Sequence, residues 1–128
     1  MRKVFWACLA LVAMLVQGCG TMQAYEGPRK PANEIAVIKT NVGELALDTA
    51  WVGKLDGRSL VLAYAELEVA PGSHSAQILI KRGFLTRSES FSFDAKAGHT
   101  YRVKGDFHLG KAWVTDERTG ELVAGEKP

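Results

Sequence analysis

Punctuation constrains this chain more than any other feature. From Glu34 onward, short apolar alternations are broken again and again by turn signals: Asn41-Val42-Gly43, Asp56-Gly57, Pro71-Gly72, Lys81-Arg82-Gly83, Ala97-Gly98 and Leu109-Gly110. Glycine and proline at such spacing leave little room for a helix of ordinary length, and no stretch between them keeps a 3.6-residue apolar period. What fits is a period of two, the signature of strands with one buried face.

The strands read as follows. Glu34–Thr40 is short and β-branched. Leu45, Leu47, Thr49 and Trp51 share one face of the next run, with Glu44, Ala46 and Asp48 on the other. Asp56-Gly57 is a strong hairpin signal, and Ser59–Tyr64 reads as a strand or one helical turn. Leu67 and Val69 alternate with Glu66 and Glu68. Three longer strands, 73–81, 85–93 and 99–107, are expected to form a meander, followed by Ala112–Thr115 and a short Leu122-Val123 piece. About seven strands with turns every 8–12 residues predict an all-β fold, a small antiparallel β-sandwich, over residues 34–124 with a tail at 125–128.

The N-terminus is of a different kind. Arg2 and Lys3 precede an uncharged apolar run from Val4 to Val16, which leads into Gln17-Gly18-Cys19. That run falls short of the roughly 20 apolar residues a spanning helix needs, and its charge and small-residue pattern suit a secretory signal. The string Val16-Gln17-Gly18-Cys19 resembles the lipobox of bacterial lipoprotein signal peptides. The resemblance implies cleavage before Cys19 and fatty acylation (palmitate-type) of that cysteine. The expected organisation is a signal peptide at 1–18, then a lipidated N-terminus and flexible tether at 19–33. Gly20-to-Asn33 is polar and rich in Gly and Pro, as a tether would be. Tyr25 is the aromatic there that could dock on the domain. Each buried methylene of an acyl chain contributes about 0.8 kcal/mol, so two or three chains hold a protein firmly with no transmembrane helix. Gly20 stands where an Asp favours inner-membrane retention in enteric bacteria, so the expected location is the outer membrane, facing the periplasm.

Processing also settles the charge. The 16 basic and 14 acidic residues of the full chain become equal once Arg2 and Lys3 leave with the signal. A neutral domain has no cationic excess for phosphates, which argues against nucleic-acid binding. Of the two cysteines, Cys8 leaves with the signal and Cys19 becomes a thioether. The domain is then held by its apolar core with no disulfide, which a chain of this length can manage.

Beside the lipobox, the strings Tyr25-Glu26-Gly27-Pro28, Leu55-Asp56-Gly57, Val69-Ala70-Pro71-Gly72-Ser73-His74, Phe93 to Gly98, and Tyr101 form a recognisable pattern. Over roughly residues 19 to 115 the chain resembles a group of small proteobacterial lipoproteins of unknown function. Their domain is similar to the PEGA-type β-domain of bacterial surface proteins. The resemblance implies a β-sandwich in the cell envelope and supplies no catalytic residues.

Motifs for chemistry are sparse. His74 and His99 share the inward parity of their strands, and a meander would set them two strand spacings apart, roughly 9.5 Å. That separation is awkward for a shared zinc ion, even with Asp94 or Glu89 assisting. There is no HxH or HxxxH spacing, no G-x-S-x-G elbow and no phosphate-binding glycine loop. No cofactor, metal site or enzymatic activity is expected. Trp51 and Trp113 lie on strands, and an outward Trp beside Lys111 or Arg102 could stack on a sugar or on a partner's side chain. The reading that follows is a non-enzymatic protein-binding or structural module, anchored to the membrane through Cys19 and meeting an envelope protein partner. The alternative is a glycan- or small-ligand-binding lipoprotein that uses Trp51 or Trp113. A metal-dependent hydrolase built on His74 and His99 is the third.

Overall fold

The computed structural model describes residues 20–128. Cys19 and the signal segment lie outside the described residues.

The described chain is all-β, built as two sheets packed face to face. Its strands are β1 (Thr21–Gln23), β2 (Ala36–Lys39), β3 (Thr49–Leu55), β4 (Arg58–Ser59), β5 (Glu66–Val69), β6 (Gly72–Arg82), β7 (Leu85–Ala95), β8 (Thr100–Asp106), β9 (Lys111–Asp116) and β10 (Leu122–Gly125). One sheet runs β1-β5-β2-β8-β9-β10 and the other β4-β3-β6-β7. A single 3₁₀ turn, Ala32–Glu34, precedes β2. The count exceeds the expected seven: the Leu122-Val123 piece is present as β10, the run Ser59–Tyr64 is strand only at its first residue, in β4, and β1 was not expected because three residues show no alternation.

Alternation buries one face of each sheet. Ile38, Leu67, Tyr101, Val103 and Val114 from the larger sheet meet Val52, Leu55, Ile78, Ile80 and Phe93 from the smaller one. Each such side chain contributes about 1.5–3 kcal/mol by leaving water. The Phe93 and Tyr101 rings cross at 57° with centroids 5.3 Å apart, bridging the sheets. Tyr101 is 1 % exposed, and its hydroxyl accepts the Lys96 N–H at 2.8 Å. The buried phenol thus satisfies its polar end within the turn before its own strand. Gly105 faces Ile80 so closely that a Cβ there would lie 2.8 Å from the Ile80 side chain. The missing side chain lets the sheets close on a full isoleucine.

Three expectations are corrected. The meander breaks after β7: β6 and β7 pair along their whole length, but β8 joins the other sheet, beside β2 and β9. Two pairs, β1 with β5 and β2 with β8, are parallel, so the larger sheet is mixed. The face of the run into β3 is reversed. Ala50, Val52 and Leu55 point inward, while Leu45 and Leu47 precede the strand and stand in solvent.

Thr21–Gln23, inside the segment expected to be a tether, forms β1 of the larger sheet. Gly20 accepts the Glu66 N–H at 3.0 Å, and the Ala24 N–H donates to Glu68 at 2.8 Å. Gln23 donates to the carbonyls of Tyr25 and Gly27, and the Tyr25 hydroxyl accepts the Lys30 N–H at 2.9 Å. Arg29 pairs with Glu68, a carboxylate buried on β5. Polar, glycine-rich sequence looks like linker, yet here its polar groups are spent on a fixed turn against the domain.

Candidate functional site

Strand directions sort the loops into two ends. β1, β3, β5, β7 and β9 run one way, and β2, β4, β6, β8 and β10 the other; Asp48, just before β3, meets both Arg82 at the end of β6 and Phe107 just past β8, which fixes the two sheets' relative direction. Gly20 thus lies at the same end as loop 40–48, the β6–β7 turn and the β8–β9 turn. Both paired histidines lie at the opposite end.

Trp51 and Trp113 are both outward-facing and half-buried, on different sheets. Trp51 sits on β3 opposite Leu79, and Trp113 sits on β9 opposite Lys104. They cover opposite faces of the sandwich, so no single ligand touches both. Trp113 is the better placed. It floors a groove of about 530 Å³, rimmed by Asn41, Glu44, Asp48, Arg102 and Lys104. That is a size suited to a small ligand.

The groove's wall is loop 40–48, and its shape is pinned by side chains. Asn41 bridges the loop's ends: its amide donates to the Asp48 carbonyl at 2.7 Å, and its oxygen accepts the Ala50 N–H at 2.8 Å. Arg82 grips the Asp48 carboxylate with two hydrogen bonds, at 2.5 and 2.8 Å, and the Phe107 N–H adds a third at 3.1 Å. The Arg82 hydrogen bonds, aided by the Phe107 N–H and the Arg82 charge, hold the Asp48 carboxyl below the usual range although burial opposes them. Arg102 bonds Glu117 at 2.7 Å and Glu44 at 3.3 Å, tying the loop to the top of the groove. The result is an aromatic floor with fixed acceptors and a cationic rim.

The histidines form two separate His–Asp pairs. His74 Nδ1 lies 2.6 Å from Asp56, and its Nε2 lies 2.6 Å from the Ala70 carbonyl. The ring is thus held between two oxygen atoms, one on each side. Asp56 also accepts the Ser75 N–H at 2.9 Å. Burial pushes the Asp56 carboxyl up; the His74 hydrogen bond, the Ser75 N–H and the His74 charge outweigh it and leave the group below its ordinary value. With both nitrogens engaged, His74 ties the β3–β4 turn to the start of β6.

His99 Nδ1 lies 2.6 Å from Asp116, and its ring stacks on Tyr101. Its Nε2 faces the Arg118 guanidinium at 3.5 Å, long for a hydrogen bond. Asp116 is 4 % exposed. Burial raises its carboxyl, and the His99 hydrogen bond, the Arg118 N–H, the His99 charge and the Thr119 N–H bring it below normal. Neither ring is hydrogen-bonded to a hydroxyl among the described residues, and no three His, Cys, Asp or Glu there gather as a metal-holding group. Asp94 and Glu89, the expected helpers, pair with neither histidine. Sequence reasoning missed Asp56 and Asp116 because each meets its histidine across a sheet, with no local spacing to announce it. The one available cue was Asp56-Gly57, a hairpin turn that had to lie beside some neighbouring strand.

A second hollow of about 490 Å³ opens between the edges of the two sheets, where Met22 to Glu26 face Leu55 to Leu60. The opposite sheet edge, β7, carries exposed Thr86 to Ser90. The fold and these surfaces define an all-β, sandwich-like module with one aromatic groove and a long edge strand. No family model matches the chain, and no curated protein or solved structure matches it.

Proposed function

We propose that this is a lipid-anchored cell-envelope protein whose β-domain serves as a non-enzymatic protein-binding or structural module. One observation carries the reading. A basic start, a short apolar run and Gly18-Cys19 end one residue before a chain already hydrogen-bonded into a sheet. Acylated Cys19 would hold the domain at the membrane, most naturally the outer membrane with the domain facing the periplasm. No described helix is long and apolar enough to cross a membrane. The exposed stretch of β7 offers a strand edge for an envelope protein partner.

In-cell crosslinking of a C-terminally tagged protein, beside a Cys19→Ala version, tests the proposal. The expected result is one discrete partner, lost or reduced in the Cys19→Ala sample. Crosslinks only to abundant neighbours, indifferent to the substitution, would contradict it.

A second reading draws on the Trp113 groove. Its aromatic floor and fixed polar rim suit a glycan or other small polar ligand. Peptidoglycan fragments or oligosaccharides should then quench tryptophan emission in the wild type and not in Trp113→Leu. Emission and melting temperature that no sugar moves would remove this reading.

A further inference from the structure

The large exposed apolar side chains are not scattered. Leu45 is 108 % exposed and Leu47 76 %, both in loop 40–48; Phe84 is 105 % and Leu85 62 %, at the β6–β7 turn; Leu109 is 51 %, at the β8–β9 turn. All three segments lie at the Gly20 end of the sandwich. Val61 and Leu62, also exposed, lie on the run that descends to the start of β5 at that same end. Among the described residues, Leu122 is the exposed large apolar residue that stands at the far end. A water-facing loop end has no folding reason to carry so much apolar surface, and a cluster of this kind marks a contact site.

The chain itself says what covers it. Cys19 precedes Gly20 directly, one backbone step of about 3.8 Å. Gly20 is already fixed to β5 by the Glu66 N–H at 3.0 Å. With no spacer, acyl chains on Cys19 would leave the domain at the very end that bears the apolar tips. The headgroup layer of a bilayer is only roughly 5–8 Å deep per leaflet, so an anchor this short presses the domain's end into it.

Charge at this end suits the same surface. Lys81 and Arg87 flank the Phe84 tip on β6 and β7, and Lys104 lies near the end of β8. Of the acids at this end, Asp48 pairs with Arg82, Glu44 with Arg102, Glu66 with Lys39 and Glu126 with Lys111, while Asp106 accepts the Leu109 N–H within the β8–β9 turn. Apolar tips with cations set just behind them match the layering of an anionic membrane interface.

We infer that the loop end formed by Leu45, Leu47, Phe84, Leu85 and Leu109 inserts into the phospholipid surface to which Cys19 is anchored, fixing the domain upright on the membrane. This rests on acylation at Cys19. The Trp113 groove then opens to the side near the bilayer, and the His–Asp pairs face away from it.

The test uses the processed protein purified from membranes and reconstituted in phosphatidylethanolamine–phosphatidylglycerol vesicles. Acylation leaves no thiol, so Leu45→Cys, Phe84→Cys, Leu109→Cys and the far-end control Lys96→Cys can each carry one NBD label. The three tip labels should emit to the blue of the control and resist aqueous quenching several-fold better. Tip labels as accessible as the Lys96→Cys label, on protein whose Cys19 carries acyl chains by mass spectrometry, would overturn the inference and leave the anchor standing. Labels shielded without vesicles, increasingly so with protein concentration, would assign the tips to a second copy and overturn it as well. A Cys19 free of acyl chains would overturn the anchor reading instead.

Discussion

At the scale of single residues, three aspartates carry the polar architecture. Asp48, Asp56 and Asp116 are each held below the usual carboxylate range by a cationic or hydrogen-bonding partner. A carboxyl lowered on folding adds stability that is present above its unfolded value, about pH 3.9, and is lost as pH falls through the folded one. Urea midpoints should therefore hold between pH 7 and 5 and drop below about pH 4. Asp116→Asn should cost about 1.5–3 kcal/mol at pH 7, because a buried charge-assisted hydrogen bond is lost. It should also make the acid drop shallower. An unchanged acid limb in that variant would show that Asp116 is not one of the groups responsible. None of these pairings was legible from the chain: Asp56 and His74 lie 18 residues apart, and Asp116 and His99 lie 17 apart. Sequence showed which residues could pair, and only the sheet order decides which do. The tryptophans show the same divide. Their place on strands was readable, yet their separation onto opposite faces depends on which sheet each strand joins.

At the scale of elements, the β6–β7 hairpin was the most legible part. Its alternation is long, and Arg82-Gly83 marks the turn where Gly83 takes φ +60°. The Asp56-Gly57 turn was equally plain, with positive φ at both residues as a type I′ hairpin demands. Leu45 and Leu47 misled because two leucines at even spacing look like a strand face whether or not a partner strand exists. Their apolar surface instead serves the loop end. β1 was illegible because three residues carry no period, and its strand is defined by hydrogen bonds to β5. Ala24→Pro removes the N–H that donates to Glu68 and should lower stability by about 1–3 kcal/mol, read as a shift in urea midpoint. An unchanged midpoint would return residues 20–31 to the role of a tether. The sheet-to-sheet approach makes a matching prediction. Gly105→Val should overpack against Ile80 and cost about 1–3 kcal/mol, whereas a valine on the outward face at Lys104 should be nearly neutral. Equal melting temperatures for the two variants would mean that the sheets do not close at Gly105.

At the scale of the whole molecule, composition and punctuation led correctly to an all-β, two-layer fold. Connectivity was beyond them. The Lys96–His99 turn is short enough for a hairpin, yet it carries the chain from one sheet to the other, because Phe93 and Tyr101 must meet across the core. That switch places His74 and His99 on different sheets, each paired with its own aspartate. It also gathers the loops of both sheets at the Gly20 end. If Cys19 is acylated as proposed, the apolar tips at that end would surround the point of attachment. In the reading proposed above, the placement of the domain would rest on one covalent event, acylation at Cys19. The direct measurement is the mass of the N-terminal peptide from protein purified out of native membranes. The account predicts a peptide that begins at Cys19 and carries acyl chains. A peptide that begins at Met1, or a Cys19 with a free thiol, would contradict it.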